Sequence, residues 1–94
     1  MYLSPVGKWK NPNGIKLVIY AIPGRSDDFS TELIHEGINS RCTVHLSRGK
    51  DNIFHVYDNE ILGLGLLKIA SNKEMVIKTS KFDGLILYRD YTKD

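Results

Sequence analysis

The stretch Gly7-Lys8-Trp9 contains the only tryptophan of this 94-residue chain, and it precedes an almost unbroken series of strand-like segments. Apolar residues recur with a period of two in most of these segments, which is typical of β-strands with one buried face. We interpret residues 7–10 as the first strand of a small β-barrel. On this interpretation, the Trp9 indole closes one end of the barrel.

Length and composition favour one globular domain, residues 1–94. Hydrophobic residues make up 41% of the chain, which argues against disorder. The net charge is +2, and the basic residues are scattered along the sequence, so the sequence shows no basic cluster that would bind nucleic acid or an anionic membrane. No apolar run reaches membrane-spanning length, so we expect no membrane insertion.

The single cysteine, Cys42, excludes an internal disulfide, which fits a reducing compartment. The N-terminal residues show no basic region followed by an apolar run, so no signal peptide is visible. We therefore expect a cytoplasmic protein, or a secreted one if a signal peptide has been removed.

Turn signals such as Asn13-Gly14 and Pro23-Gly24 divide the chain at intervals of about 8–12 residues. The predicted strands are 7–10, 15–22, 29–36, 41–48, 53–57, 61–70, 74–79 and 85–91. The segment 29–36 also fits a short helix, and we favour the strand. The pattern predicts an all-β fold, an antiparallel up-and-down barrel of about eight strands.

The dipeptide Gly49-Lys50 predicts a two-residue hairpin turn, which pairs Val44 with His55. This register places every second residue of the fifth strand inside the barrel: Ile53, His55 and Tyr57. The opposite alternation, with Phe54 and Val56 inside, remains open.

An eight-stranded barrel has an interior that side chains nearly fill or that holds one small ligand. We expect a small apolar ligand, if one is bound, to contact inward side chains. The residues predicted to line this interior site are Leu17, Ile19, Val44, His55, Tyr57, Leu67 and Met75.

The predicted strand 61–70 is apolar on both faces except at Lys68. If Lys68 faces water, so do Leu62, Leu64 and Leu66, and the glycines between them face inward. A soluble monomer rarely leaves such a stripe bare. Either the N-terminal segment or another loop covers it, or it is an interface for a protein partner or for a second copy in a homodimer.

Gly7-x-Trp9 on the first strand and Arg89 on the last strand resemble the lipocalin-like (calycin) superfamily. In that superfamily a Gly-x-Trp opens the barrel, and a basic residue from the last strand lies over the indole at the closed end. The resemblance covers most of the chain. It implies that Trp9 and Arg89 form a structural plug, in which a guanidinium over the ring contributes ~0.5–2 kcal/mol.

The chain also resembles, more loosely, the staphostatins, which are small lipocalin-like barrels that inhibit secreted cysteine proteases. The shared features are the early Gly-x-Trp, the length, and a glycine-containing loop before the last strand. This resemblance implies an inhibitory loop that includes Phe82, Asp83 and Gly84.

No arrangement of side chains in the sequence points to catalysis. In the predicted register His45 and His55 face opposite sides of the sheet, so we expect no metal site. Cys42 lies on the inward face of its predicted strand together with Val44 and Leu46, which favours a buried structural thiol over a nucleophile. Glycines 63 and 65 precede no helix, so they do not form a phosphate-binding loop. We therefore expect a non-enzymatic binding protein without a cofactor. The alternative is an inhibitor of a cysteine protease.

Overall fold

The computed structural model describes residues 3–92, and they form a closed antiparallel barrel of eight strands in up-and-down order. The strands are β1 (Gly7–Lys10), β2 (Ile15–Ile22), β3 (Arg25–His35), β4 (Ser40–Arg48), β5 (Ile53–Val56), β6 (Gly65–Ile69), β7 (Glu74–Thr79) and β8 (Asp83–Arg89). A short 3-10 helix, Glu36–Ile38, connects β3 to β4. The predicted all-β up-and-down barrel is confirmed.

The region that also fitted a helix is the long strand β3, which begins earlier than predicted. Pro23-Gly24 forms a tight turn in which Gly24 has a φ of 77°, and Arg25 already pairs with Ile22. Proline followed by glycine is suited to the two central positions of such a turn. The polar residues 25–28, which lie between the predicted strands 15–22 and 29–36, are therefore the start of β3.

The connection between β4 and β5 corrects the predicted register. Asp51 and Asn52 both have positive φ, and the Ile53 amide donates a hydrogen bond to the Lys50 carbonyl. The tight turn is therefore centred on residues 51–52 rather than on 49–50, because aspartate and asparagine tolerate the left-handed conformation. Leu46 consequently pairs with Val56, whereas the predicted register pairs it with Ile53, which is a shift of three residues.

A shift by an odd number of residues reverses the faces of a strand. Phe54 and Val56 are buried inside the barrel, whereas His55 and Tyr57 are exposed. The prediction that His55 and Tyr57 point inward is therefore wrong. Tyr57 also lies beyond the end of β5, in the connection to β6.

Residues 57–64 form a loop rather than the start of a strand, so the predicted strand 61–70 begins only at Gly65. The Asn59 side chain organises this loop. Its Oδ1 accepts hydrogen bonds from the Ile61 and Leu62 amides, and its Nδ2 donates to the Gly63 carbonyl. The loop turns Ile61 and Leu62 into the core, so Leu62 is 2% exposed and the expected outward position of its side chain is wrong.

A single cluster of buried apolar side chains fills the centre of the molecule. Its members are Trp9, Ile15, Leu17, Ile19, Phe29, Leu33, Val44, Leu46, Phe54, Val56, Ile61, Leu62, Leu67, Ile69, Met75, Ile77 and Leu87. Within residues 3–92 Thr31 is the one buried polar side chain, and its hydroxyl has no hydrogen-bond partner there. Cores of this kind are packed as densely as organic crystals.

The barrel closes between its first and last strands through a short pairing. Only Trp9 with Arg89 and Lys10 with Tyr88 are paired there, whereas β2 and β3 pair along almost their whole length. The side chain of Asn11 extends the closure, because its Nδ2 donates a hydrogen bond to the Ile86 carbonyl, 3.1 Å away. Closure removes the exposed edges of an open sheet.

Candidate functional site

The Trp9 side chain lies at the barrel end that the N-terminal segment covers. Its ring is 1% exposed, and its Nε1 donates a hydrogen bond to the Pro5 carbonyl over 2.9 Å. The Arg89 guanidinium carbon lies 4.0 Å from the centre of the indole. The same guanidinium donates hydrogen bonds to the carbonyls of Ser4, Val6 and Asn72. Arg89 therefore ties the N-terminal segment and the β6–β7 turn to the outside of the indole.

Gly7 makes room for this arrangement. It has a φ of 132°, and a Cβ added there would lie 2.7 Å from the Arg89 Nη1. A larger residue would clash with the guanidinium and would also be strained at this backbone conformation. The positive φ and the closeness of the guanidinium therefore both favour glycine at this position of the Gly-x-Trp motif.

The residues predicted to line an interior ligand site fall into two groups. Leu17, Ile19, Val44, Leu67 and Met75 are all buried members of the central cluster and contribute to its packing. His55 and Tyr57 lie on the outside of the barrel. The structure therefore does not bring the seven residues together at one surface that a ligand could contact.

The outside of β5–β8 carries a contiguous set of apolar side chains, which we call the apolar face. Its members are Ile53, Tyr57, Leu64, Leu66, Val76 and Ile86. Among them Leu64 is 61% exposed, Tyr57 52% and Leu66 41%. Two of the three leucines predicted to face outward therefore do so, whereas Leu62 belongs to the core.

Two hollows share the apolar face, and Leu66 lies between them. One hollow of about 380 Å³ is lined by Ile53, Leu66, Lys68, Val76 and Lys78. The second, of about 460 Å³, is lined by Ser47, His55, Val56, Tyr57, Leu64, Gly65 and Leu66. Volumes of this size are typical of sites for small molecules.

Sequence reasoning missed four members of this face. Ile53 and Tyr57 were assigned to the inside by the wrong register. Val76 and Ile86 alternate with inward residues on β7 and β8, so their outward position followed from the pattern, but their contact with Leu66 and its neighbours did not. The available signal was that three neighbouring strands each carry an apolar residue on the side predicted to face water.

A polar cluster connects β3 with β4 on the outside of the barrel. Asp28 accepts a hydrogen bond from the Arg25 Nε, 2.9 Å away, and its other oxygen lies 2.9 Å from the His45 Nε2. The hydrogen bond from Arg25 and, to a smaller extent, the hydrogen bond with His45 lower the pKa of the Asp28 carboxyl. The Tyr57 ring meets the His45 imidazole edge-on, with 4.9 Å between the ring centres.

His45 and His55 both face outward, so the prediction that they lie on opposite sides of the sheet is wrong. No group of three His, Cys, Asp or Glu side chains within residues 3–92 could hold a metal ion. Burial, together with the charge of Glu60, raises the pKa of the half-buried Cys42 thiol. A raised pKa leaves the thiol protonated and a poor nucleophile at neutral pH.

The proposed inhibitory loop is shorter than expected. Asp83 and Gly84 belong to β8, and the register between β7 and β8 shifts at this position. Gly84 has a φ of 89°, and no atom lies within 4 Å of a Cβ added there. The turn therefore consists of residues 80–82, of which Phe82 is half-buried against the core, and an irregular start of the last strand follows it.

Comparisons with protein families, with curated proteins and with solved structures found no match to this chain. The closed eight-stranded barrel is compatible with the lipocalin-like resemblance. No helix in the described part of the chain is long and apolar enough to cross a membrane.

Proposed function

We propose that the chain is a non-enzymatic, lipocalin-like binding protein that binds a small apolar ligand or a protein partner through its apolar face. The observation that carries the proposal is the exposure of Tyr57, Leu64 and Leu66 beside two adjoining hollows. Exposed apolar patches rimmed by polar residues mark interaction sites in soluble proteins.

The filled interior supports an external site. Leu17, Ile19 and Met75, which we had expected to contact a ligand inside the barrel, are at most 1% exposed. A ligand there would have to displace core side chains, whose removal from packing costs several kcal/mol each. Binding on the outside requires no such rearrangement.

Binding of Nile red, a neutral apolar dye whose fluorescence rises in apolar surroundings, tests this proposal. We expect Leu64→Lys to weaken dye binding about tenfold, because it removes a large part of the apolar contact. Ile38→Lys is the matched control, since Ile38 is 66% exposed but lies on the β3–β4 connection. Equal dye binding by the two variants would contradict the proposal.

In the homodimer that the leucine stripe predicts, the protein partner is a second copy of this chain. Because Leu62 is buried, such a contact would use Leu64 and Leu66 with their neighbours. Sedimentation of the wild type and of Leu64→Lys measures it: a dimer that the substitution dissociates supports a second copy as the partner. A wild type that is monomeric at high micromolar concentration excludes it.

The second candidate function is inhibition of a cysteine protease. The positive φ of Gly84 and the open space around it favour this candidate, because a backbone without side-chain obstruction can enter a protease cleft. Nanomolar inhibition of a cysteine protease that is lost in Gly84→Val would support it. Inhibition that survives the substitution would exclude this part of the chain as the inhibitory element.

A further inference from the structure

Lysines distinguish the smaller hollow from an ordinary apolar patch. Lys68 lies between Ile53 and Val76 as their cross-strand neighbour, and Lys78 lies across from Leu66. Both lysines line the hollow together with these three apolar residues. Two ammonium groups therefore flank an apolar floor.

These two lysines are not neutralised by the protein. Within residues 3–92 neither side chain forms an ion pair or a hydrogen bond. Asp83 is the cross-strand neighbour of Lys78, yet its carboxylate lies beyond ion-pair distance. Elsewhere on the barrel, by contrast, Arg41 pairs with Glu32.

The spacing of the lysines suits a single anionic group. Lys68 pairs with Val76, so Lys78 is its diagonal neighbour on β7. Diagonal neighbours in an antiparallel pair lie about 7–8 Å apart at the backbone, and long side chains bridge that distance. Two ammonium groups on flexible stems can therefore donate to the same carboxylate.

We propose that this hollow binds a single-chain anionic amphiphile, with its carboxylate between Lys68 and Lys78 and its alkyl chain over Leu66. The inference rests on the proposed function and names the chemical class of its ligand. The chain would continue towards Tyr57 and Leu64 in the adjoining hollow. From Lys68 to Leu64 the distance along β6 and the residue before it is about 13 Å, which an alkyl chain of about ten carbons covers.

A second copy of the chain is the less favoured occupant, because of charge. A two-fold contact centred on Leu66 would bring Lys68 and Lys78 of one copy close to the same lysines of the other. Like charges at the centre of an interface oppose association. An anionic amphiphile, by contrast, supplies a negative charge for the two lysines and an alkyl chain for the apolar residues of the hollow.

Titrations of the full chain with decanoate and with 1-decanol, followed by amide chemical shifts in NMR spectra, test the proposal. We expect decanoate to bind about tenfold more tightly than the neutral alcohol, since two exposed ion pairs contribute modestly. The shifts should centre on β5, β6 and β7. Replacing both lysines with methionine, Lys68→Met with Lys78→Met, keeps the apolar stems and should remove the preference for decanoate.

The matched control is the double variant Lys50→Met with Lys73→Met, which removes the same charge from two exposed lysines outside the hollow. It should bind decanoate as the wild type does. Leu66→Gln should weaken both ligands, because both alkyl chains contact that side chain.

Three results would overturn the proposal: equal affinities for decanoate and decanol, an unchanged preference in the Lys68 and Lys78 double variant, or shifts centred on core residues such as Leu17. Suppose that the preference for decanoate is absent, but that Leu64→Lys weakens the binding of decanol and of Nile red to the same extent. The proposed function would then stand, and only the anionic class of the ligand would fail. If neither decyl compound bound, the amphiphile would be excluded and a protein partner would remain for the face.

Discussion

The Trp9 indole is held by burial, by a hydrogen bond to the Pro5 carbonyl and by the Arg89 guanidinium above its ring. We expect Trp9→Ala to lower the free energy of unfolding by ~3–5 kcal/mol, because it removes the largest buried side chain and leaves a cavity. That loss is a large part of the stability of a small domain. Urea denaturation of both proteins measures the difference.

Tyr91→Ala is the control for this experiment, because Tyr91 is an aromatic residue with 72% of its surface exposed. It should change the stability by no more than about 0.5 kcal/mol. A loss below about 1 kcal/mol in Trp9→Ala would contradict the role of the indole as a plug.

Asp28 gives the stability a dependence on acid pH. Its folded-state pKa is lowered, first by the hydrogen bond from Arg25 and then by that with His45. Because this pKa is lowered, the ionised carboxylate stabilises the fold at pH values above the pKa of the unfolded chain, about 3.9. This stabilisation is lost as the pH falls through the pKa of the folded protein. Wild type should therefore exceed Asp28→Asn in unfolding free energy at pH 5.

The same comparison at about pH 2.5 should show a smaller difference, since falling pH protonates the Asp28 carboxylate and removes the contribution of its ionised form. Asp83→Asn is the control, because the Asp83 carboxylate forms no ion pair within the described residues. A difference between wild type and Asp28→Asn that stayed constant from pH 5 to pH 2.5 would contradict the assignment. The measurement is urea denaturation at each pH.

At the scale of elements, the loop 57–64 closes the barrel end opposite Trp9. It turns Leu62 into the core and leaves Leu64 61% exposed, two residues further along. We expect Leu62→Ala to cost ~2–5 kcal/mol and Leu64→Ala no more than about 0.5 kcal/mol. The pair is matched in chemistry and differs only in burial.

Thermal or urea denaturation of the two leucine variants separates this arrangement from the continuous strand that the sequence suggested. In a continuous strand, Leu62 and Leu64 would lie on the same face and would respond alike. Similar losses in both variants would therefore contradict the loop.

At the scale of the whole molecule, the closure between β8 and β1 is the least extensive pairing in the barrel. The Asp90 amide donates a hydrogen bond to the Lys8 carbonyl beside it, over 2.8 Å. Short, peripheral pairings open more readily than long central ones. We expect this amide to exchange with deuterium about tenfold or more faster than amides of the β2–β3 pairing.

NMR-detected hydrogen exchange under native conditions measures the two sets of amides. The Leu33 amide, in the middle of β3 and flanked by two full-length strand pairings, is the internal reference. Equal protection of the Asp90 and Leu33 amides would show that the barrel opens only as one cooperative unit.

The barrel and most of its inward faces were predictable from the sequence, because the alternation of a half-buried strand is a local pattern. Leu17 on β2, Val44 on β4 and Met75 on β7 are buried as the alternation of their strands predicts. The plug was also visible as Gly7-x-Trp9 with Arg89, and the structure places these residues together at one barrel end.

Only the tertiary structure decided the register of β5 and the path of residues 57–64. Both Gly49-Lys50 and Asp51-Asn52 are competent turn sequences, and the choice depends on which face of β5 then packs in the core. The core takes Phe54 and Val56, which turns His55 and Tyr57 outward.

The apolar face and its lysines likewise emerge only when β5, β6 and β7 are placed side by side. Ile53, Leu66 and Val76 are separated in the chain, and each taken alone is an ordinary apolar residue on the outside of a strand. Their contact beside Lys68 and Lys78 results from the strand pairing across the barrel. Local alternation thus determines which way a side chain points, and the pairing of distant strands determines its neighbours.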